Sequence, residues 1–354
     1  MDIDLNRKLA KVTEESERSV LPADTAERAV RAARDIGIRL TQEIKDFDGV
    51  FWVSRLKWDY LIDEQRHKPS IRMGGKGPSL EQCLASGSME FIERWTRHRN
   101  NTFDKEFYTC LDLKENKEYR MRPTLELENA KCMASGNNYE EAVLHCLHEL
   151  IETRTPPTVY WKPCRVVDMD EMFPEMPKWV KDSILLIQSQ GDKKEFYKFT
   201  AVQYPFNREF DDYRPFTVKK EANYVSLLPN VRNPKYHSPN SGGAAGLNPK
   251  KTAFRAMNEI FQFQNEVEDF STGRKKPLPD YISTAGRGDL PDYETDSITD
   301  DIKKILELLG EDVFVGVVDL TDPEIGIPVV KVISDYEPRR SFASRDELSE
   351  FFVF

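Results

Sequence analysis

The stretch Gly74–Trp95, GGKGPSLEQCLASGSMEFIERW, decides how this chain is read. Its first four residues are glycine-rich, which lets a backbone approach an anion closely. Pro78 and Ser79 end the loop, and the spacing then predicts an amphipathic helix. Ser86, Glu90, Glu93 and Arg94 lie at i, i+4, i+7 and i+8 on one face of it. Leu84, Met89, Phe91, Ile92 and Trp95 supply most of its apolar surface. Taken alone, a face mixing a hydroxyl, two carboxylates and a guanidinium is an ordinary solvated face.

Two later segments repeat the pattern and change that reading. Ala134-Ser135-Gly136-Asn137-Asn138 precedes a helix over Tyr139–Glu152, which carries Glu141, Glu149 and Glu152 and is stopped by Thr155-Pro156-Pro157. Ser241-Gly242-Gly243-Ala244-Ala245-Gly246 precedes a helix from Pro249 to Val267, with Arg255, Glu259 and Gln262 at i, i+4 and i+7. Like charges three residues apart on a helix repel by about 0.2–0.5 kcal/mol unless solvent screens them or a cation bridges them. Three such sets, each after a small-residue loop and bordering an apolar face, favour one shared internal site. Mg2+ takes one or two carboxylates and completes its octahedron with water and phosphate oxygens. Five or six glutamates would thus hold two or more magnesium ions, with Arg94, Arg255 and glycine-loop amides on the phosphates. Lys76 in GGKG does not fit the P-loop pattern, and the protein-kinase motif set is missing, so a triphosphate would be bound by another route.

Composition narrows the function classes. The chain has 354 residues and a net charge of −10, which argues against general binding to nucleic acid or a membrane surface. No apolar run reaches the roughly 18 residues of a membrane span, and Met1–Ser19 lacks the apolar core of a signal peptide, so a cytoplasmic location is expected. The five cysteines, Cys83, Cys110, Cys132, Cys146 and Cys164, form no CxxC pair and read as free thiols. His145-Cys146-Leu147-His148 matches no usual zinc spacing.

The predicted element order is α/β without strict βαβ regularity. Residues 1–21 form a charged extension with a loosely held helix, and a helix capped by Asp24 or Thr25 follows. Short β-like runs lie between Ile38 and Arg55, Lys57–Ser70 reads as a loop, and Phe103–Arg122 suggests edge strands. Asp168–Lys181 reads as a surface helix, Ser183–Gln188 and Phe196–Val202 as strands, and Tyr204–Thr217 as a loop. Ser271–Thr299 is an acidic mobile loop, and a helix covers Asp300–Leu309. Buried strands cover Val313–Leu320 and Ile327–Ile333, and a short helix closes the chain at Ser344–Phe354. Residues 22–354 are expected to form a single domain.

At this point the chain resembles the YcaO family. That family builds its nucleotide site from an SxxxExxER helix, an ExxxxxxxExxE helix and a later RAxxExxQ helix. They correspond here to Ser86–Glu90–Glu93–Arg94, Glu141–Glu149–Glu152 and Arg255–Glu259–Gln262. The preceding GKG, ASGN and GxAA loops match as well, Val318–Val332 resembles the family's C-terminal strand pair, and Ile36–Leu40 resembles its GVTR sequence more faintly. The resemblance runs from about Pro22 to Pro338. It implies a YcaO-like α/β fold with mixed sheets and three acidic helices around a nucleotide cleft. The implied chemistry is Mg2+- and ATP-dependent activation of a peptide backbone amide. The amide oxygen attacks the γ-phosphoryl group, and a nucleophile then adds to the carbon. A side chain gives an azoline, sulfide a thioamide and an amine an amidine. By role, the resemblance puts Glu90, Glu93, Glu149, Glu152 and Glu259 on magnesium, and Ser86, Arg94, Glu141, Arg255, Gln262 and, more weakly, Lys76 on the nucleotide.

Four departures bear on the product. Thr153 stands where the family usually has Arg after ExxE, with Arg154 as its substitute. Phe263-Gln264 replace Ser-Arg, and Ser334–Pro338 replaces PGLEP. The last residues, Glu350–Phe354, lack the PxPxP tail of azoline-forming members, which favours thioamidation or another nucleophile over azoline formation. Such a chain is expected to need a peptide or protein substrate, a TfuA-like or other sulfide-delivering partner, and a leader-peptide-binding partner. Apolar surface at Phe351–Phe354 hints at a homodimer. An azoline-forming cyclodehydratase and a nucleotide-binding scaffold subunit without its own chemistry are the alternatives.

Overall fold

The computed structural model describes residues 1–14, 16–62, 65–67, 74–99, 105–124, 127, 131–154, 165–168, 178, 181–182, 199–204, 208–210, 213–216, 224–229, 242–248, 251–252, 254–255, 292–336 and 352–353. The chain divides into two compact units, Met1–Arg154 with Thr295–Phe354, and Thr155–Glu294.

The first unit begins with helix α1 (Pro22–Asp35), the hairpin β1 (Arg39–Phe47) and β2 (Phe51–Ile62), and two short strands, β3 (Gln65–His67) and β4 (Lys76–Gly77). Helix α2 (Leu80–Arg99) follows, then β5 (Tyr108–Asp112), β6 (Lys117–Met121), β7 (Met133–Ser135) and helix α3 (Tyr139–Arg154). The second unit contains β8 (Arg165–Asp168), β9 (Phe199–Tyr204), β10 (Arg208–Phe210), β11 (Tyr213–Phe216), β12 (Tyr224–Pro229) and β13 (Gly242–Ala245). The chain then returns to the first unit with helix α4 (Ile298–Leu309), β14 (Val315–Asp319), β15 (Val329–Ser334) and β16 (Phe352–Val353).

The α/β architecture follows the sequence reading, and every pairing between the named strands is antiparallel. In the first unit a six-stranded sheet runs β16-β6-β5-β14-β15-β7, and a smaller sheet runs β1-β2-β3 with β4 also on β2. The second unit holds the sheet β13-β12-β9-β8 and the hairpin β10-β11. Strands β14 and β15 are buried almost throughout because they lie in the interior of the large sheet. Helices α2 and α3 pack on β15 and β7. Helix α1 packs on α2 through a face that includes Ala26, Ala29 and Ala33, small enough to bring two helix axes close.

Each helix start has a local cause. Ser79 caps α2, its Oγ accepting the Gln82 N–H at 3.1 Å, and Asn138 caps α3, its Oδ1 accepting the Glu141 N–H at 2.9 Å. Ser297 does the same for α4. Helix α1 starts earlier than its expected cap. Pro22 occupies the first turn, Leu21 is the N-cap without a side-chain bond, and the Thr25 hydroxyl donates back to the Leu21 carbonyl.

Four expectations are corrected. Residues 1–21 contain no helix among the described residues before Pro22 and are tied down. Lys11 forms a buried 2.5 Å ion pair with Asp301, Arg7 pairs with Glu140 at 3.0 Å, and Glu17 pairs with His148 at 3.2 Å. The expected loop over Lys57–Ser70 is strand as far as Ile62, with β3 beyond it. Buried Leu56 and Trp58 alternate with exposed Arg55 and Lys57, and Lys57 pairs across the hairpin with Glu43. The loop expected at Tyr204–Thr217 contains β10 and β11. At the end of the expected closing helix, Phe352–Val353 form β16, paired with Arg120 and Met121 of β6, and residues 344–351 lie outside the described residues. Ser183–Gln188, most of the Asp168–Lys181 and Pro249–Val267 helices and the 271–291 part of the acidic loop lie outside the described residues.

Candidate functional site

The GGKG loop is shaped by helix α2. A Cβ on Gly75 would sit 1.8 Å from the Cys83 carbonyl oxygen and 2.6 Å from the Gly87 nitrogen, so loop and helix backbones touch where both residues are glycine. Ser54 on β2 holds the loop there, donating its N–H to the Gly75 carbonyl at 2.8 Å and accepting the Gly75 N–H at 2.9 Å. The glycine signal thus has a packing cause at Gly75. At Gly74 the N–H does meet an anion, but one from the protein itself, donating to Glu90 Oε2 at 3.2 Å.

Glu90 is the first member of an acidic cluster. Arg94, one turn on, reaches its Oε1 at 3.4 Å. Lys76, fixed on β4 opposite Val53, adds a second favourable charge. Burial nevertheless outweighs these groups and the Gly74 bond, and raises the carboxyl above its ordinary value.

Glu93 lies deeper along the same face. Ser135, the last residue of β7, donates to its Oε1 from both the backbone N–H and Oγ, each at 2.9 Å. Burial, with the Glu90 charge adding to it, pushes the Glu93 carboxyl up to about 7. Helix α3 contributes Glu149. Cys132, with a left-handed φ of 56°, turns two successive N–H groups, its own and that of Met133, towards this carboxyl. Burial first, then the charges of Glu93 and Glu152, push Glu149 up to about 8. Both glutamates keep some exposed surface, yet enough protein surrounds them for desolvation to dominate.

The structure therefore brings Lys76, Glu90, Glu93, Arg94, Glu149 and Glu152 into one electrostatically linked group. Among the described residues no three His, Cys, Asp or Glu side chains stand in a preformed metal cluster. The donor set still fits a hard cation. All its acceptors are carboxylate oxygens, and Glu93 and Glu149 are raised first by burial and further by the neighbouring carboxylate charges, with little positive charge set against them. A divalent ion would supply that charge and draw the carboxylates in.

The other expected residues lie elsewhere. Ser86 is half-buried one turn before Glu90. Glu141 is about 12 Å from Glu149 along the α3 axis, eight residues at 1.5 Å each. Its carboxylate is bonded to protein. Oε1 accepts from the Ser19 N–H and, at 2.6 Å, from its hydroxyl, and Oε2 accepts from the Asn137 N–H at 2.7 Å and side-chain amide at 2.8 Å. Arg255 belongs to the second unit, and Glu259 and Gln262 lie outside the described residues, as does the side chain of Arg154. Thr153 donates to the Glu149 carbonyl at 2.7 Å and meets Cys132 Sγ at 3.4 Å, so it packs inward where a longer cation was expected. Cys83, Cys110, Cys132 and Cys146 are buried and are not joined in disulfides. Cys146, within the HCLH run, donates to the Cys132 and Val330 carbonyls at 3.3 Å.

Sequence reasoning missed the supporting groups, Ser135 and the Cys132 and Met133 amides. Ser135 stands within the small-residue run that had been singled out. Its role was hidden because it lies 42 residues from Glu93.

A family model described as the YcaO cyclodehydratase, binding ATP and Mg2+, matches residues 223–334. The fold is shared with the structure of YcaO from Methanopyrus kandleri bound with AMPPCP and Mg2+, with a TM-score of 0.62 and 15% identity over 92% of this chain and 93% of that one. Residues 223–334 thus carry the YcaO family signature, and the whole chain shares the fold of that structure. A heterocyclase in complex with substrate and cofactor gives a TM-score of 0.65 at 15% identity over 93% of this chain and 53% of that one. The E. coli microcin synthetase McbBCD complex with pro-MccB17 bound gives 0.53 at 12% identity over 83% of this chain and 87% of that one. No curated protein matches in sequence. The family match covers the Arg255–Gln262 block and strands β14 and β15. The Glu90, Glu93 and Glu149 cluster lies upstream of it. No helix among the described residues is long and apolar enough to cross a membrane.

Proposed function

We propose that this chain is a member of the YcaO family that binds ATP with Mg2+ and uses it to phosphorylate the backbone amide oxygen of a peptide or protein. Sulfide then adds at the amide carbon and phosphate leaves, giving a thioamide. The observation that carries the reading is the under-compensated group of Glu90, Glu93 and Glu149, with Lys76 and Arg94 at its edge. Carboxylates gathered this way suit a cation that brings a polyphosphate with it.

Glu90, Glu93, Glu149 and Glu152 would hold Mg2+, which neutralises the triphosphate so that a weak neutral oxygen can approach phosphorus. Lys76 and Arg94 would supply positive charge to the phosphate oxygens, Arg94 being held among the described residues only by a long contact with Glu90. Ser86, Arg255, Glu259 and Gln262 keep the roles that the sequence resemblance implies. Glu141, bonded to Ser19 and Asn137 at the other end of α3 from Glu149, would serve the nucleotide site indirectly, by holding the loop before the helix in place. The neighbours that hold a substrate or partner subunits support a peptide or protein substrate here, delivered with the help of a partner that supplies sulfide or binds a leader segment.

The test incubates the protein with ATP, Mg2+, sulfide and a candidate peptide and reads the peptide by mass spectrometry. Exchange of oxygen for sulfur supports thioamidation. Loss of one water without sulfide uptake supports azoline formation, the activity that the family description names. Nucleotide binding without any peptide change would indicate a scaffold subunit.

A further inference from the structure

We infer that Ser135 is a positioning residue that fixes which oxygen of Glu93 faces the cation; this rests on the proposed metal role of Glu93. Ser135 ends β7 and pairs with Val329 of β15, so its place is set by the large sheet, and only 5% of its surface is exposed. Its N–H and its Oγ both lie 2.9 Å from the same atom, Glu93 Oε1. The hydroxyl has one hydrogen and a second acceptor nearby, the Met89 carbonyl at 3.2 Å. That carbonyl is farther away and already takes the Glu93 N–H within α2, so the nearer carboxylate oxygen is the stronger acceptor for the hydroxyl hydrogen.

Two donors on Oε1 occupy its acceptor directions, so Oε2 is the atom available to an ion, and Glu93 ligates through one oxygen. The terminal torsion of a glutamate is broad and nearly two-fold, so the side chain alone does not choose between its oxygens. Ser135 makes the choice. The role is distinct from a general packing role, since only the Oγ hydrogen is at issue and a methyl group fits the same space.

The experiment titrates Mg2+ into the full chain in the presence of a non-hydrolysable ATP analogue and follows the thermal unfolding midpoint, for wild type, Ser135→Ala and Ser135→Thr. Wild type is expected to show a saturable Mg2+-dependent rise. Ser135→Ala is expected to need about tenfold more Mg2+ for the same half-rise, the range seen when a group supporting a metal ligand is removed. Ser135→Thr, which keeps the hydroxyl, is expected to restore the wild-type requirement to within about twofold, a small fraction of that loss. If Ser135→Ala lowers the metal-free midpoint but leaves the Mg2+ requirement unchanged, the residue is structural and the inference fails while the proposed function stands. Equal loss in the Ala and Thr variants also overturns it. If wild type shows no Mg2+-dependent rise, the metal reading of Glu93 falls, and this inference with it.

Discussion

Helix α3 has a glutamate at each end, and the two ends are built differently. At the N-terminal end, Glu141 takes four hydrogen bonds from Ser19 and Asn137, and its neighbour Glu140 takes an ion pair from Arg7. At the C-terminal end, Glu149 has two backbone N–H donors and two nearby carboxylates. Position on the helix adds to the contrast. Negative charge is favoured by the dipole in the first turn and disfavoured near the last. The same residue type thus closes a fold at one end and leaves a charge deficit at the other. A protein does not keep such a deficit for stability, since a buried carboxylate without enough partners is destabilising. The proposed metal site rests on that deficit.

The largest effect expected from this contrast is on nucleotide handling. Glu149→Ala should reduce Mg2+-dependent ATP binding by more than about a hundredfold, beyond the range for supporting residues, while the metal-free protein unfolds no earlier than wild type. Isothermal calorimetry and thermal melts read the two halves separately, and retained affinity would break the assignment.

Next in size is the loop that α2 holds. Gly75→Ala puts a methyl group against the Cys83 carbonyl and Gly87 nitrogen, backbone atoms that cannot step aside. A loss at or above the usual overpacking range of about 1–3 kcal/mol is expected in denaturant unfolding. A neutral result would show that the loop is not seated on α2. Glu141→Ala is expected to cost about 1–3 kcal/mol by leaving buried donors of Asn137 unpaired. If it abolished nucleotide binding with no change in stability, the two ends of α3 would be alike after all.

The pH dependence sharpens the comparison further. Glu93 and Glu149 are raised from 4.5 to about 7 and about 8, so between those limits the folded state binds more protons than the unfolded state. By linkage, their contribution to stability is greatest at low pH and is lost as pH rises from about 4.5 towards 8. Saturating Mg2+ with nucleotide should flatten that slope, because metal binding favours the ionised carboxylates. Melts at pH 5 and pH 8 with and without Mg2+ measure it, and an identical slope in both conditions would remove the cation from the account. The smallest effect is Thr153→Val, which removes one hydrogen bond to the Glu149 carbonyl and should change stability by about 0.5–1.5 kcal/mol without altering the Mg2+ requirement.

Much of this could be read in the chain before its fold was known. The offsets of Glu90, Glu93 and Arg94, and of Glu149 and Glu152, fix which residues share a helix face whatever the helices pack against. Period-two burial in β2 was also present, at Leu56 and Trp58, but charged Arg55 and Lys57 made the segment look like loop. Its pairing with β1 decided the matter. The glycines of GGKG were visible as a demand for close approach, and what they approach was not. The Cβ position at Gly75 shows it to be α2 itself.

The sequence by itself determined the α/β class, the helix-borne carboxylates and the family resemblance, because these depend on residue type and on the 3.6-residue period of a helix. Only the tertiary structure decided that Glu141 is held by Ser19 and Asn137, that Ser135 grips Glu93, and that Glu93 and Glu149 share too little positive charge. Those facts depend on burial and on contacts between residues far apart in sequence. Local spacing carries neither. The stretch Gly74–Trp95 shows both limits at once. Its face was legible from spacing, and its role follows from the strand and the helix brought against it.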